Sequence, residues 1–289
     1  MRAKNKLVPW VFSAPALLVF SFVVVFPVVW NVVLSLYKWD GISVMKYIGT
    51  KNYNKLFTDK TFIQALLNNY KFCLISTIYQ FCAGLFMAML LNSIDKGRNI
   101  LKVIYFVPCI ITTVALSQIF MKLLALEPIG VVNSILKAVG ITPVSFLGNA
   151  STALYTLSLI DAYKYCGIYM IILYSALVGV PDDIVEASII DGCGWFRQYF
   201  SIKIPIIKGV CGMVLIMLIN GTLKSFEMPY VLTNGGPGTS TEMMATYMYK
   251  TAFSKMDYGY SSTLAVFLLV ECLIIVSVLR KLTPGNESI

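Results

Sequence analysis

The sequence predicts an all-α membrane protein with six transmembrane helices in a single domain, residues 1–289. Three observations carry this expectation. Of the 289 residues, 58% are hydrophobic and only 13% are charged, and a mean hydropathy of +0.77 lies outside the range of soluble globular chains. Six apolar runs approach or exceed the ~18 residues that cross a bilayer as a helix. Polar segments rich in Asn, Gly, Lys and Pro separate them, and neither an internal repeat nor a low-complexity tract interrupts the series.

The first run, about 11–36, follows Arg2, Lys4 and Lys6. It is too long for the apolar part of a signal peptide and no small-residue cleavage site ends it, so it is expected to stay as the first span. Runs 72–91 and 103–121 carry no charge over their whole length. Runs 152–180, 206–232 and 261–279 complete the set and each contains charged residues. With a cytoplasmic N-terminus, the inner segments 1–10, 92–102, 182–208 and 280–289 hold eleven Lys and Arg, against nine in the longer outer segments 38–68, 122–150 and 230–260. That density bias favours cytoplasmic termini.

Composition also excludes chemistry. The net charge is +9, but Lys and Arg are spread among loops with no aromatic-interleaved basic face, so no nucleic-acid partner is expected. There are no His residues, which removes the commonest general base and metal ligand. The seven Cys show no paired metal spacing and fall mostly inside apolar runs, where Cys packs as a small hydrophobe. No catalytic residue, metal site or resident cofactor is expected.

The polar island from Pro181 to Pro205 is the most informative segment. Pro181 suits a helix start, Asp182 and Asp183 suit the positive end of its dipole, and Gly192 ends it or lets another backbone come close. Ala187, Ser188 and Gly192 leave room for a partner surface, and Glu186 and Asp191 offer it charge. The segment Glu186-Ala187-Ser188, Asp191-Gly192-Cys193, Ile202-Lys203-Ile204-Pro205 resembles the EAA loop of the membrane-spanning subunits of ATP-binding-cassette importers, with Ser188 and Cys193 where Ala is usual. Thr233-Asn234-Gly235-Gly236-Pro237, Tyr47-Ile48-Gly49-Thr50-Lys51-Asn52-Tyr53 and Pro108 are similar to the sugar-importing branch, of the maltose and glycerol-phosphate type of first permease.

That resemblance implies a cytoplasmic coupling helix between the fourth and fifth spans, with Glu186, Ala187, Ser188, Asp191 and Gly192 as the ATPase-coupling residues. It implies a second homologous permease, two cytoplasmic ATPase subunits, an external solute-binding protein and a carbohydrate, an oligosaccharide by the branch. ATP and Mg would be bound by the partners, since nothing here fits a phosphate-binding G-x-x-x-x-G-K-[ST] loop.

Charges inside spans are the remaining signal, because a mid-bilayer charge faces protein or a water-filled path. Asp161/Lys164 and Lys224/Glu227 are spaced i,i+3 and so can pair, or else lie near the outer ends of their spans and reach the interface; Glu271 stands alone. Tyr163, Lys164, Thr222, Ser225 and Glu227 bring aromatic, hydroxyl and charged groups to similar depth, the supply that a sugar needs, and form the expected substrate path. An ion-coupled sugar transporter using Asp161, Glu227 or Glu271 is the alternative. It would be favoured by inverted repeats, which are not visible.

Overall fold

Helices make up most of the computed structural model, which describes residues 7–282. The charges at Arg2, Lys4 and Lys6 and the last residues of the 280–289 segment lie outside the described residues. In chain order the elements are α1 (Trp10–Leu34), the short antiparallel pair β1 (Tyr37–Lys38) and β2 (Lys46–Tyr47), α2 (Lys51–Thr58), α3 (Lys60–Ser93), α4 (Arg98–Ile110) and α5 (Thr113–Leu123). There follow α6 (Val131–Ala138), α7 (Ala153–Val178) and α8 (Asp182–Ile190). The chain continues through α9 (Trp195–Ile206), α10 (Lys208–Leu223), α11 (Glu227–Thr233), α12 (Met244–Phe253) and α13 (Tyr258–Leu282).

Four of these, α1, α3, α7 and α13, are each long and apolar enough to cross a membrane. The runs expected at 103–121 and 206–232 are instead bent pairs. α4 and α5 meet at 95°, and α9 and α10 meet at 77°. At the first bend Ile111 is extended and the Thr112 side chain accepts the Ala115 N–H, which caps a new helix rather than continuing the old one. The fifth run also stops early: α10 ends at Leu223 and Glu227 opens the separate helix α11. Turns of wider π type lie at Ser21–Val25 and Tyr199–Lys203. Each stands just before a proline, Pro27 or Pro205, whose missing N–H removes a helical bond.

The chain divides into two compact units. One holds the residues up to Lys60 together with Tyr247–Val270. Within it Asn52 donates to the carbonyls of Ser35 and Tyr37, and Asp59 accepts from the hydroxyls of Tyr247 and Tyr260. Burial and the bond to Asp59 push the Tyr247 phenol above its ordinary pKa. Gly259 is required there, since a Cβ would run into the Tyr37 carbonyl.

The other unit holds Thr61–Thr246 and the chain from Glu271 onward. α7 runs through its core: Met170, Leu173, Tyr174 and Leu177 pack on Ala88, Met89 and Leu91 of α3 and on Cys211, Val214 and Leu218 of α10. A second cluster joins Leu154, Leu157 and Ile160 of α7 to Phe72, Leu116, Met228 and Leu232. α3 begins at Lys60, before the expected 72, because its first turns bury Ala65, Asn68 and Asn69. Asn68 donates to the Thr239 and Glu242 carbonyls and Asn69 to the Leu223 carbonyl, so the amide N–H groups of this stretch find partners inside protein.

Candidate functional site

The break between α10 and α11 opens a cavity of about 320 Å³ within the second unit. Gln80 of α3, Asp161, Tyr165 and Tyr169 of α7, and the stretch Gly221–Met228, apart from Leu223, line it. The break supplies this lining because residues released from a helix can aim side chains that a continuous helix would hold apart. Phe226, at the start of α11, stacks on Tyr230 one turn further along, with ring centroids 5.1 Å apart. Asp161, Tyr165 and Tyr169 follow one another at i,i+4 steps, so one stripe of α7 presents an acid and two phenols.

A hydrogen-bonded chain fixes one side of the cavity. Lys164, 5% exposed, donates its ammonium to Thr113 Oγ1, and that hydroxyl donates onward to Glu227 Oε2 at 2.7 Å. Gln80 Nε2 donates to Asp161 Oδ2 at 3.2 Å. Neither Asp161 with Lys164 nor Lys224 with Glu227 closes to an ion pair, unlike Lys55 with Asp257 and Asp95 with Arg98. The i,i+3 expectation fails for Lys224 and Glu227 because the helix ends between them, so no common turn holds them together. Asp161 and Lys164 do share a helix, but each is taken by a nearer partner from α3 or α5.

Of the expected path residues, Thr222, Ser225 and Glu227 line the cavity. Lys164 stands behind it, acting through Thr113. Tyr163 is not in the lining; it is 43% exposed, and its ring meets Phe120 edge-on at 5.7 Å. Gln80, Tyr169 and Phe226 went unread in the sequence. The α7 stripe of Asp161, Tyr165 and Tyr169 was the available signal for Tyr169. Glu271 is 7% exposed in α13, beside the Tyr70 hydroxyl of α3.

The second candidate surface is α8. Asp182 and Asp183 occupy its first turn. Its end is closed by Gly192 at φ +73°, with the Gly192 N–H bonded to the Ile189 carbonyl and the Cys193 N–H to the Ser188 carbonyl. This is the double bond pattern of a left-handed helix stop, which favours glycine. Ser188 is buried and accepts from Gln198 Nε2 at 3.1 Å, which fixes α8 to α9. Glu186, Ala187, Asp191 and Gly192 are exposed, and beside them Ile189 and Ile190 stand open, Ile190 at 86%. Four of the five expected coupling residues thus share the outer surface of one short, well-capped helix, and the fifth fastens it from beneath.

Comparison with known proteins places this geometry. Residues 80–287 match the family described as binding-protein-dependent transport system inner membrane component. The probable ABC transporter permease protein YurN of Bacillus subtilis (strain 168) is 34% identical over 92% of each chain. The arabinooligosaccharides transport system permease protein AraP of the same organism is 28% identical over 96% of this chain and 89% of its own. A solved bacterial alginate ABC transporter, in complex with an alginate pentasaccharide-bound periplasmic protein, has a chain of the same fold. Its TM-score is 0.87 at 20% identity, over 98% of both chains.

Proposed function

Since the chain belongs to the family of binding-protein-dependent transport system inner membrane components, we propose that it forms one half of the pathway of an ATP-driven importer for a carbohydrate, an oligosaccharide. It is a permease subunit, not an enzyme. The observation that carries the substrate class is the cavity at the α10–α11 break, where phenol and phenyl rings stand beside carboxylate, hydroxyl, amide and ammonium groups. Rings stack on sugar faces while the polar groups bond sugar hydroxyls. AraP, a relative over nearly the whole chain, transports arabinooligosaccharides by its name, which supports the reading. The lining favours a neutral sugar: two carboxylates accept from hydroxyls, and only one ammonium, Lys224, faces the space.

In this reading the single permease domain crosses the inner membrane six times, through α1, α3, the α4–α5 pair, α7, the α9–α10 pair and α13, with both termini cytoplasmic. α8 is the coupling helix. Glu186, Ala187, Asp191 and Gly192 face a groove on one of two cytoplasmic ATPase subunits, which bind ATP and Mg. A second homologous permease completes the path, and an external solute-binding protein delivers the sugar, as the periplasmic protein in the solved alginate transporter supports. Closure of the ATPase pair moves α8, and the Ser188–Gln198 bond passes that movement to α9.

Reconstituted complexes test the coupling role. Gly192→Trp forces a side chain onto a left-handed backbone at the docking face, and Glu186→Lys reverses an exposed charge without backbone strain. Both variants should insert normally yet lose sugar-stimulated ATPase activity. Normal stimulation in Glu186→Lys and Gly192→Trp alike would overturn the assignment of α8.

A further inference from the structure

The loop between β1 and β2 and the segment before α13 enclose a second cavity, of about 460 Å³, within the first unit. Lys38, Lys46 and Lys255 line it beside Trp39, Asp40 and Asp257. Both carboxylates are committed elsewhere. Asp40 Oδ1 accepts from the Ile42 and Ser43 N–H groups and the Ser43 hydroxyl. Asp257 accepts from Lys55 at 3.1 Å and from the Tyr260 N–H. The ammonium groups have no such partners: among the described residues none of the three lysines pairs with a carboxylate. Lys255 instead stands 4.7 Å from the centre of the Tyr247 ring.

Lys38 lies directly opposite Lys46 in the antiparallel register. Like charges in that position repel and destabilise a strand pair, so the hairpin alone gains nothing from them. An anion seated between them would turn repulsion into a clamp. The depth of the cavity says where that anion comes from. Lys38 follows the end of α1 at Leu34 within a turn's length of chain, and Lys255 closely precedes the start of α13 at Tyr258. The Tyr258 N–H donates to the Trp39 carbonyl at 3.0 Å and the two rings pack at 5.6 Å, which holds the ends of two membrane helices at one level. Trp and Tyr at that level mark a membrane–water boundary. At the hairpin tip Ile42 and Val44 are 89% and 93% exposed, apolar groups suited to the interfacial layer.

We propose that this cavity binds the anionic phosphate headgroup of a membrane phospholipid. Lys38, Lys46 and Lys255 hold the phosphate oxygens, Trp39 flanks the glycerol, and Ile42 and Val44 rest among the headgroups. The inference depends on α1 and α13 lying in a membrane and is independent of what the protein transports.

The test uses the full chain in its purified complex, equilibrated with mixed phosphatidylglycerol and phosphatidylcholine, and reads the ratio of the two lipids retained. The parent should enrich phosphatidylglycerol. Each basic group near a membrane surface contributes roughly a fivefold preference, so Lys38→Gln/Lys46→Gln/Lys255→Gln should reduce the enrichment at least about tenfold, and the matching triple Arg variant should keep it. All three lysines are exposed. Should the triple variant fail to fold, the single substitutions at Lys38 and Lys46 carry the same test. Three results would overturn the proposal: unchanged enrichment in the Gln variants, displacement of the lipid by millimolar inorganic phosphate, or unchanged enrichment with weakened capture of the solute-binding protein.

Discussion

Thr113 joins two charges that cannot reach one another. Its hydroxyl accepts from the Lys164 ammonium and donates to Glu227, so a cation on α7 and an acid on α11 are linked through the first residue of α5. The sequence spacing suggested direct i,i+3 partners, and the two residues found a common mediator instead. Thr113→Val keeps the shape and removes both bonds, leaving a buried ammonium without its acceptor. Such a loss costs about 1–3 kcal/mol. We expect the purified complex to melt earlier by that amount in Thr113→Val, and Thr113→Ser to restore most of it. A Thr113→Val complex as stable as the parent would mean that Lys164 has another acceptor.

At the scale of elements, close approach of helices depends on two glycines. A Cβ at Gly167 of α7 would overlap the Tyr105 carbonyl and crowd Phe106 of α4, whereas a Cβ at Gly84 of α3 would sit 3.2 Å from the Met170 N and 3.4 Å from the Cys166 carbonyl. Small residues at such crossings let membrane helices pack backbone to backbone. Forcing a methyl into a filled contact costs about 1–3 kcal/mol. Thermal melting should therefore rank Gly167→Ala well below Gly84→Ala, and the opposite order would show that α4, not α3, yields. The long apolar helices were legible in the sequence because hydrophobic length alone reports them, as for α1, α7 and α13. The bend at Ile111 and the stop at Leu223 were not, since neither falls on a glycine or proline; the Thr112 cap opens a new helix at the first, and the Asn69 amide of α3 takes the Leu223 carbonyl at the second. The same limit explains the site. Thr222, Ser225 and Glu227 could be read as polar groups at one depth, but Tyr163 could not be told from Tyr165 without knowing which face of α7 meets α3 and α10.

For the whole molecule the question is the source of energy for transport. The chain belongs to a family of binding-protein-dependent transport components, and the function proposed for it assigns ATP hydrolysis to partner subunits. An ion-coupled route would need a span carboxylate that takes up and releases an ion with each cycle. Glu271 is one candidate, 7% exposed in α13 beside the Tyr70 hydroxyl of α3. Its surroundings argue otherwise. The nearby cleft formed by Cys73, Leu74, Thr77, Ile78, Ile219, Leu223 and Ile275, with Tyr70 at hand, is almost wholly apolar and offers an ion no further charged ligand. Glu271→Gln keeps the shape and removes the titration, so uptake should stay within about twofold of the parent and stability should not fall. In vesicles with internal ATP held constant, a protonophore should leave uptake by the parent unchanged, while ATP depletion should abolish it. Loss of uptake in Glu271→Gln together with collapse under the protonophore would transfer the driving force to an ion and overturn the ATP-driven reading at its root.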